Sequence, residues 1–291
     1  MTIDFVMREV MDNPTLGIKW TDLTRLTDLD FADDLALLEE SPQKLQLVTD
    51  KLVTTASKVG LRVSTEKTKI MTVKTDQPAN IQINQHNVEE VPKFTYLGSA
   101  ISNQGDIADD LSSRLGKANS VFRRLDRIWK SRQITLKSKV MLYTSLVLSV
   151  ALYASETWKM TGRTAQRLDV FHQRCLRKIL GISWQDRITN EEVLRRTKQR
   201  ELSTLVKERR LKILGHTLRM PTGRHAKISL KWTPDGGKRK RGRPTTTWRR
   251  TISKDLQEMG LTWQEAETLA EDRKGWRNSV ATRCSARNRR N

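Results

Sequence analysis

An α+β fold is predicted by two changes of pattern along the 291 residues. Over residues 1–106, short apolar runs are broken by turn residues around one amphipathic stretch at 41–59. That pattern suits a small antiparallel sheet with a helix on one face. From Ile107 onward, apolar residues recur at threes and fours, which predicts packed helices. Charge changes at the same place. Residues 1–106 hold 11 Lys and Arg against 16 Asp and Glu, a net of −5, whereas residues 107–291 hold 43 against 17, a net of +26. Four segments result: 1–106 with the sheet and its helix, 107–231 with connected helices, 232–247 as a basic loop, and 248–291 as a helical segment with a basic tail.

Residues 3–11 suit the end of a helix, followed by the turn Asp12-Asn13-Pro14. Gly17 to Thr21 suits a short strand. Two further strands flank Asp33 and Asp34. Asp is depleted from strand interiors, and a buried unpaired carboxylate is costly. A hairpin bend at the pair resolves that conflict, with Leu29, Phe31, Leu35 and Leu37 anchoring the flanks. Ser41 and Pro42 open a helix that carries Leu45, Val48, Leu52, Ala56 and Val59 on one stripe. Gly60 stops it. Leu61 to Val63, Ile70 to Val73, Ile81 to Ile83 and Phe94 to Gly98 suit short strands.

Ile107, Leu111, Leu115, Ala118, Phe122, Leu125 and Trp129 then define one helix, with Arg114, Lys117, Arg123 and Arg124 at its other positions. Thr135 caps a second helix running to about Glu156. A third covers about Arg163 to Leu180 and a fourth about Asn190 to Gly215. Residues 232–247 combine turn residues with a dense basic run and suit an exposed loop. A last helix spans about Thr247 to Asp272. Seven tryptophans lie in the basic half; most suit packing, and some suit base stacking.

The formal net charge of +21 points to a polyanionic partner, nucleic acid or an acidic membrane surface. The membrane reading lacks a sustained apolar face opposite a basic one. Val140 to Ala154, the most apolar segment, is too short to span a bilayer. No basic-then-apolar leader pattern opens the chain, so nuclear or cytoplasmic residence is expected instead of secretion. Two cysteines, Cys175 and Cys284, do not make a disulfide framework. His172 and Cys175 have metal-like spacing, but no second pair lies nearby, and a helix face accounts for them.

Adjacent carboxylates repel unless a cation neutralises them. Mg²⁺ takes one or two protein carboxylates together with phosphate oxygens, and paired ions stabilise phosphoryl transfer. A solvated turn is the plainer alternative for Asp33 and Asp34. The order of motifs bears on this choice. Phe31-Ala32-Asp33-Asp34 is followed by a helix, then Gly60-Leu61 through Lys67-Thr68, then Phe94-Thr95-Tyr96-Leu97-Gly98, then a basic helical region. This series resembles the end of the palm and the thumb of a reverse transcriptase of the non-LTR (LINE-like) retrotransposon class. Ser64 stands where that family usually has Asn. Ser155 to Trp158, Arg174 to Arg177, Ile188 to Val193, Leu214 to His216, Arg241 to Pro244 and Trp248 are similar to sequences downstream of such polymerases.

The resemblance implies roles residue by residue. Asp33 and Asp34 would be catalytic and would ligate Mg²⁺. Lys67 or Lys69 would lie near the incoming nucleotide, and Tyr96, Leu97 and Gly98 would position the primer end. Template–primer RNA and DNA would be the partners, held by the basic half through Arg114, Lys117, Arg123 and Arg124. A third carboxylate on an earlier strand is expected in that family. None of Asp4, Asp12 and Asp22 lies in a suitable apolar strand. The chain is therefore expected to be N-terminally truncated relative to such a polymerase and inactive alone. A nucleic-acid-binding role without catalysis is the alternative.

Lys238, Arg239, Lys240 and Arg241 form a basic run of the nuclear-import kind. Arg241-Gly242-Arg243-Pro244 resembles an AT-hook core, in which two arginines enter the narrow minor groove of A·T-rich duplex. A loop holding phosphates without preference is the simpler alternative.

Overall fold

The computed structural model describes residues 2–73, 79–233 and 246–286. The fold is α+β, mainly helical with small two-stranded sheets. It divides into two units, residues 1–106 with 223–241, and residues 107–222 with 242–291.

The first unit begins with α1 (Thr2–Met11), which packs on α2 (Pro42–Lys58). Val6, Met7 and Val10 meet Val48, Leu52 and Ala56 in one buried cluster. Ser41 holds the N-cap position before Pro42, and Gly60 (φ +77°) ends the segment in the left-handed region open to glycine. Between these helices lie β1 (Ile18–Lys19), β2 (Arg25–Leu26), β3 (Asp28–Phe31) and β4 (Asp34–Leu37). β1 pairs with β2 and β3 with β4, both antiparallel.

After α2 come β5 (Lys69–Ile70), β6 (Gln82–Ile83), β7 (His86–Asn87), β8 (Glu89–Glu90), β9 (Lys93–Tyr96) and β10 (Ser99–Ser102). β6–β7 and β9–β10 are hairpins, whereas β5 and β8 pair in parallel. Leu61 to Val63, expected as a strand, is irregular. Val63 packs between the two small clusters of this unit, so its side chain is placed without a ladder. Residues 223–233, including α10 (His225–Ser229), complete the unit. Trp232 stacks on Trp20 with centroids 4.9 Å apart, and its indole donates to the Lys19 carbonyl at 3.1 Å.

The second unit is helical. The stripe from Ile107 to Trp129 forms two helices, α3 (Ala108–Arg124) and α4 (Asp126–Lys130). The break at Leu125 lets the Trp129 ring fold back on Phe122, at 5.1 Å, and donate to its carbonyl at 2.8 Å. Thr135 caps α5 (Leu136–Leu142), which continues as a π-helical stretch, Tyr143–Leu148, and then α6 (Ser149–Ala151). Ala154 (φ +55°) ends this rod before Glu156. α7 (Gly162–Leu180) has a Thr161 capping box and stops at left-handed Gly181.

Left-handed Lys198 splits the fourth predicted helix into α8 (Asn190–Thr197) and α9 (Leu202–Leu218). Gly215 is no stop. A Cβ there would come within 2.2 Å of the Trp276 indole nitrogen, which donates to the Leu211 carbonyl at 3.0 Å. The last predicted helix is two, α11 (Trp248–Glu258) and α12 (Trp263–Glu271), broken at Gly260 (φ +67°). The segment expected as a tail continues as α13 (Arg273–Ala286), which buries Trp276, Val280 and Cys284 at successive turns.

The core of this unit gathers α3, α5, α7 and α9 around Leu111, Phe122, Trp158 and Leu176. Buried Arg210 pairs with Asp255 at 2.6 Å, which keeps both charges compensated. Among the described residues, no helix is long and apolar enough to cross a membrane.

Candidate functional site

The β3–β4 hairpin turns through two residues, Ala32 and Asp33, with Phe31 opposite Asp34, Asp30 opposite Leu35, and Asp28 opposite Leu37. Ala32 occupies φ +55°, a conformation that L residues adopt reluctantly. Asp33 and Asp34 are both exposed at this bend. The register corrects one expectation about the flanks. Leu35 and Leu37 pack against the α1–α2 cluster, but Leu29 and Phe31 lie on the other face, 46% and 64% exposed. A strand alternates its faces, so all four leucine and phenylalanine positions could not anchor one core.

The packed face carries a second acidic pair. Asp28 and Asp30 stand two residues apart on β3, beside Leu35 and Leu37 across the ladder. Partial burial pushes the Asp30 carboxyl up to about 6, helped by the Asp28 charge, a hydrogen bond shared with Asp28, and the Asp4 charge from α1. The Thr27 hydroxyl donates to Asp28. Sequence reasoning passed over this pair, although its i, i+2 spacing already set both groups on one face.

Tyr96 is brought to the acidic hairpin. Its hydroxyl donates to the Leu29 carbonyl at 2.8 Å. Desolvation raises its pKa, and the Asp30 and Asp34 charges add to the effect. Leu97 (φ +48°) and Gly98 (φ +79°) form the two-residue bend immediately after it, so Phe94 to Gly98 is a strand and its turn. Two left-handed residues in a two-residue loop match the twist of the strands they join. Lys67 is exposed in a turn. Lys69 pairs across β5–β8 with Glu89 at 2.6 Å.

In the helical unit, Lys117, Arg123 and Arg124 are exposed on α3. Arg114 is not, and the expectation for it is corrected. It is 7% exposed, 3.7 Å from Asp110, with its guanidinium 4.4 Å from the centroid of the Tyr153 ring. A four-residue step along α3 from Asp110 turns it into the core, where Asp110 also accepts from the Trp158 indole at 2.9 Å. Lys238, Arg239, Lys240, Arg241 and Arg243 lie outside the described residues.

His172 and Cys175 are buried on α7, with His172 Nδ1 2.8 Å from the Tyr143 hydroxyl. Burial lowers the imidazole to about 4 and raises the thiol to about 12, so both are neutral at ordinary pH. Among the described residues, no group of three or more His, Cys, Asp and Glu side chains is placed to hold a metal ion. Asp33 and Asp34 have the oxygen chemistry that Mg²⁺ prefers. They make a partial donor set.

Fold and acidic hairpin together define a small carboxylate-bearing sheet unit attached in sequence to a cationic helical one. Residues 2–101 match the family described as reverse transcriptase (RNA-dependent DNA polymerase), over roughly a third of the chain. Over most of its length the chain is similar to a transposon-derived protein of Caenorhabditis elegans. The two are 29% identical over 266 residues, which is 86% of this chain and 94% of that protein. No solved structure matches.

Proposed function

We propose that the chain is a reverse-transcriptase-derived protein of the non-LTR retrotransposon class that binds template–primer RNA and DNA and does not polymerise by itself. One observation carries the reading: an exposed Asp33-Asp34 bend on a two-residue hairpin, with Tyr96 of the β9–β10 hairpin bonded to its backbone. The family match over residues 2–101 and the transposon-derived relative support the polymerase origin. Reverse transcriptases generally use a divalent metal, and Asp33 and Asp34 are the residues here that would hold Mg²⁺. The third carboxylate such chemistry needs is not among the described neighbours of the pair. Binding without catalysis follows from that difference, together with the +26 charge of residues 107–291. Nuclear residence, directed by the run Lys238 to Arg241, belongs to the same proposal.

The test uses the full chain with a labelled RNA template annealed to a DNA primer, in Mg²⁺ and deoxynucleotides. Retention of the labelled duplex without primer extension is expected. Extension that disappears in Asp33→Ala would show a working polymerase and overturn the catalytic half of the proposal. Failure to retain the duplex at low salt would overturn the binding half.

A further inference from the structure

Trp184 is 86% exposed, whereas Trp129, Trp158 and Trp276 are each at most 3% exposed. It stands on a single 3₁₀ turn, Trp184–Asp186, that is fastened at both ends. Asp186 accepts from the backbone N–H and the hydroxyl of Ser183, at 2.6 and 3.0 Å. Arg177, near the end of α7, donates to the Ile188 carbonyl at 2.7 Å and to Asn190 Oδ1 at 2.9 Å. The Ile182 N–H returns to the Arg177 carbonyl at 2.9 Å. An indole displayed on a turn so held loses little freedom when a flat partner covers it.

Residues 181–183, just before Trp184, line a cleft of about 970 Å³. Lys130, Arg174 and Lys178 line it too, as do the carboxylates of Asp169, Glu191 and Glu201. Asp126 is shared between Lys130, at 2.7 Å, and Lys178, two ammonium groups on one carboxylate. Their hydrogen bonds hold the Asp126 carboxyl below its ordinary range, so it stays ionised and one positive charge is left over. Trp184 directly follows the 181–183 edge of the cleft that the lysine pair lines, and an apolar plate with an incompletely neutralised lysine pair matches an unpaired base and its phosphate.

We infer that Trp184 and the Lys130–Lys178 pair form a binding platform for single-stranded nucleic acid, the indole stacking on a base and the lysines holding the backbone phosphate. This rests on the nucleic-acid binding proposed above and locates one part of it. Duplexes offer no free base face, so the platform selects single strands.

The full chain is titrated with labelled oligo(U), oligo(dT) and a DNA duplex of equal length. Trp184→Ala is expected to weaken both single strands by roughly tenfold and to leave the duplex unchanged, while Trp184→Phe keeps most of the affinity. Lys130→Gln with Lys178→Gln should lower the salt slope for single strands by about 0.7, the share of one phosphate. A difference between oligo(U) and oligo(dT) identifies the preferred strand, and loss on either supports the platform. Unchanged single-strand binding by Trp184→Ala, or equal loss on the duplex, overturns it while leaving the proposed function standing. Wild-type protein that binds none of the three overturns both. Circular dichroism verifies that the variants fold, as an exposed position requires.

Discussion

Asp30 behaves against the usual sign for a carboxylate. Most paired aspartates lose stability for their protein as pH falls, because a neighbouring cation favours the ionised form. Here partial burial and the Asp28 charge favour the protonated form and raise the group from 3.8 to about 6. The folded chain then binds more protons than the unfolded chain between about pH 4 and 6. Its stability contribution is full below that window and is lost as pH rises through it. Asp30→Asn is therefore expected to melt higher than the native protein at pH 7 and together with it near pH 3.5. A matching shift at both pH values would contradict the assignment. At this scale the sequence was informative about Asp33 and Asp34, because two carboxylates between apolar strands have few places to go but a bend. It was silent on Arg114, since an arginine opposite an apolar stripe looks solvated until Asp110 and Tyr153 are seen to enclose it.

Elements were legible where local signals were strong and hidden where distant residues decided. Ser41-Pro42 and Gly60 bounded α2, and Gly181 stopped α7. The break between α3 and α4 depends on Trp129 reaching back to Phe122, which periodicity does not register. The need for glycine at 215 was hidden because the partner that requires it, Trp276, lies on α13. That helix escaped notice because its apolar residues stand four apart in a strongly basic segment. The β9–β10 hairpin was seen as one strand because Leu97 is an unusual occupant of a left-handed turn position. Its φ of +48° costs a leucine roughly 1–2 kcal/mol. Leu97→Asn, which supplies the favoured Asn-Gly pair, is expected to stabilise the first unit by about 1 kcal/mol in chemical denaturation. A loss of stability would mean that the leucine side chain contributes more than its backbone strain removes.

For the whole molecule, charge is the property most fully carried by sequence, since it needs no fold to be counted. The net of +21 predicts binding dominated by counterion release. If the basic half engages about 6–10 phosphates, affinity for a template–primer should fall by roughly 10³–10⁵ between 50 and 200 mM salt. Filter binding across that range measures it. A flat profile would mean that the positive charge is not used on a polyanion. What sequence did not reveal at this scale is that residues 223–233 fold with the front of the chain.

That return of the chain has a consequence for biosynthesis. Trp20 acquires its stacking partner only when Trp232 has left the ribosome, long after residues 1–106. At about 5–20 residues per second, the delay is on the order of ten seconds. Throughout that interval the nascent first unit lacks the ring that stacks on Trp20, so this corner of it is completed last.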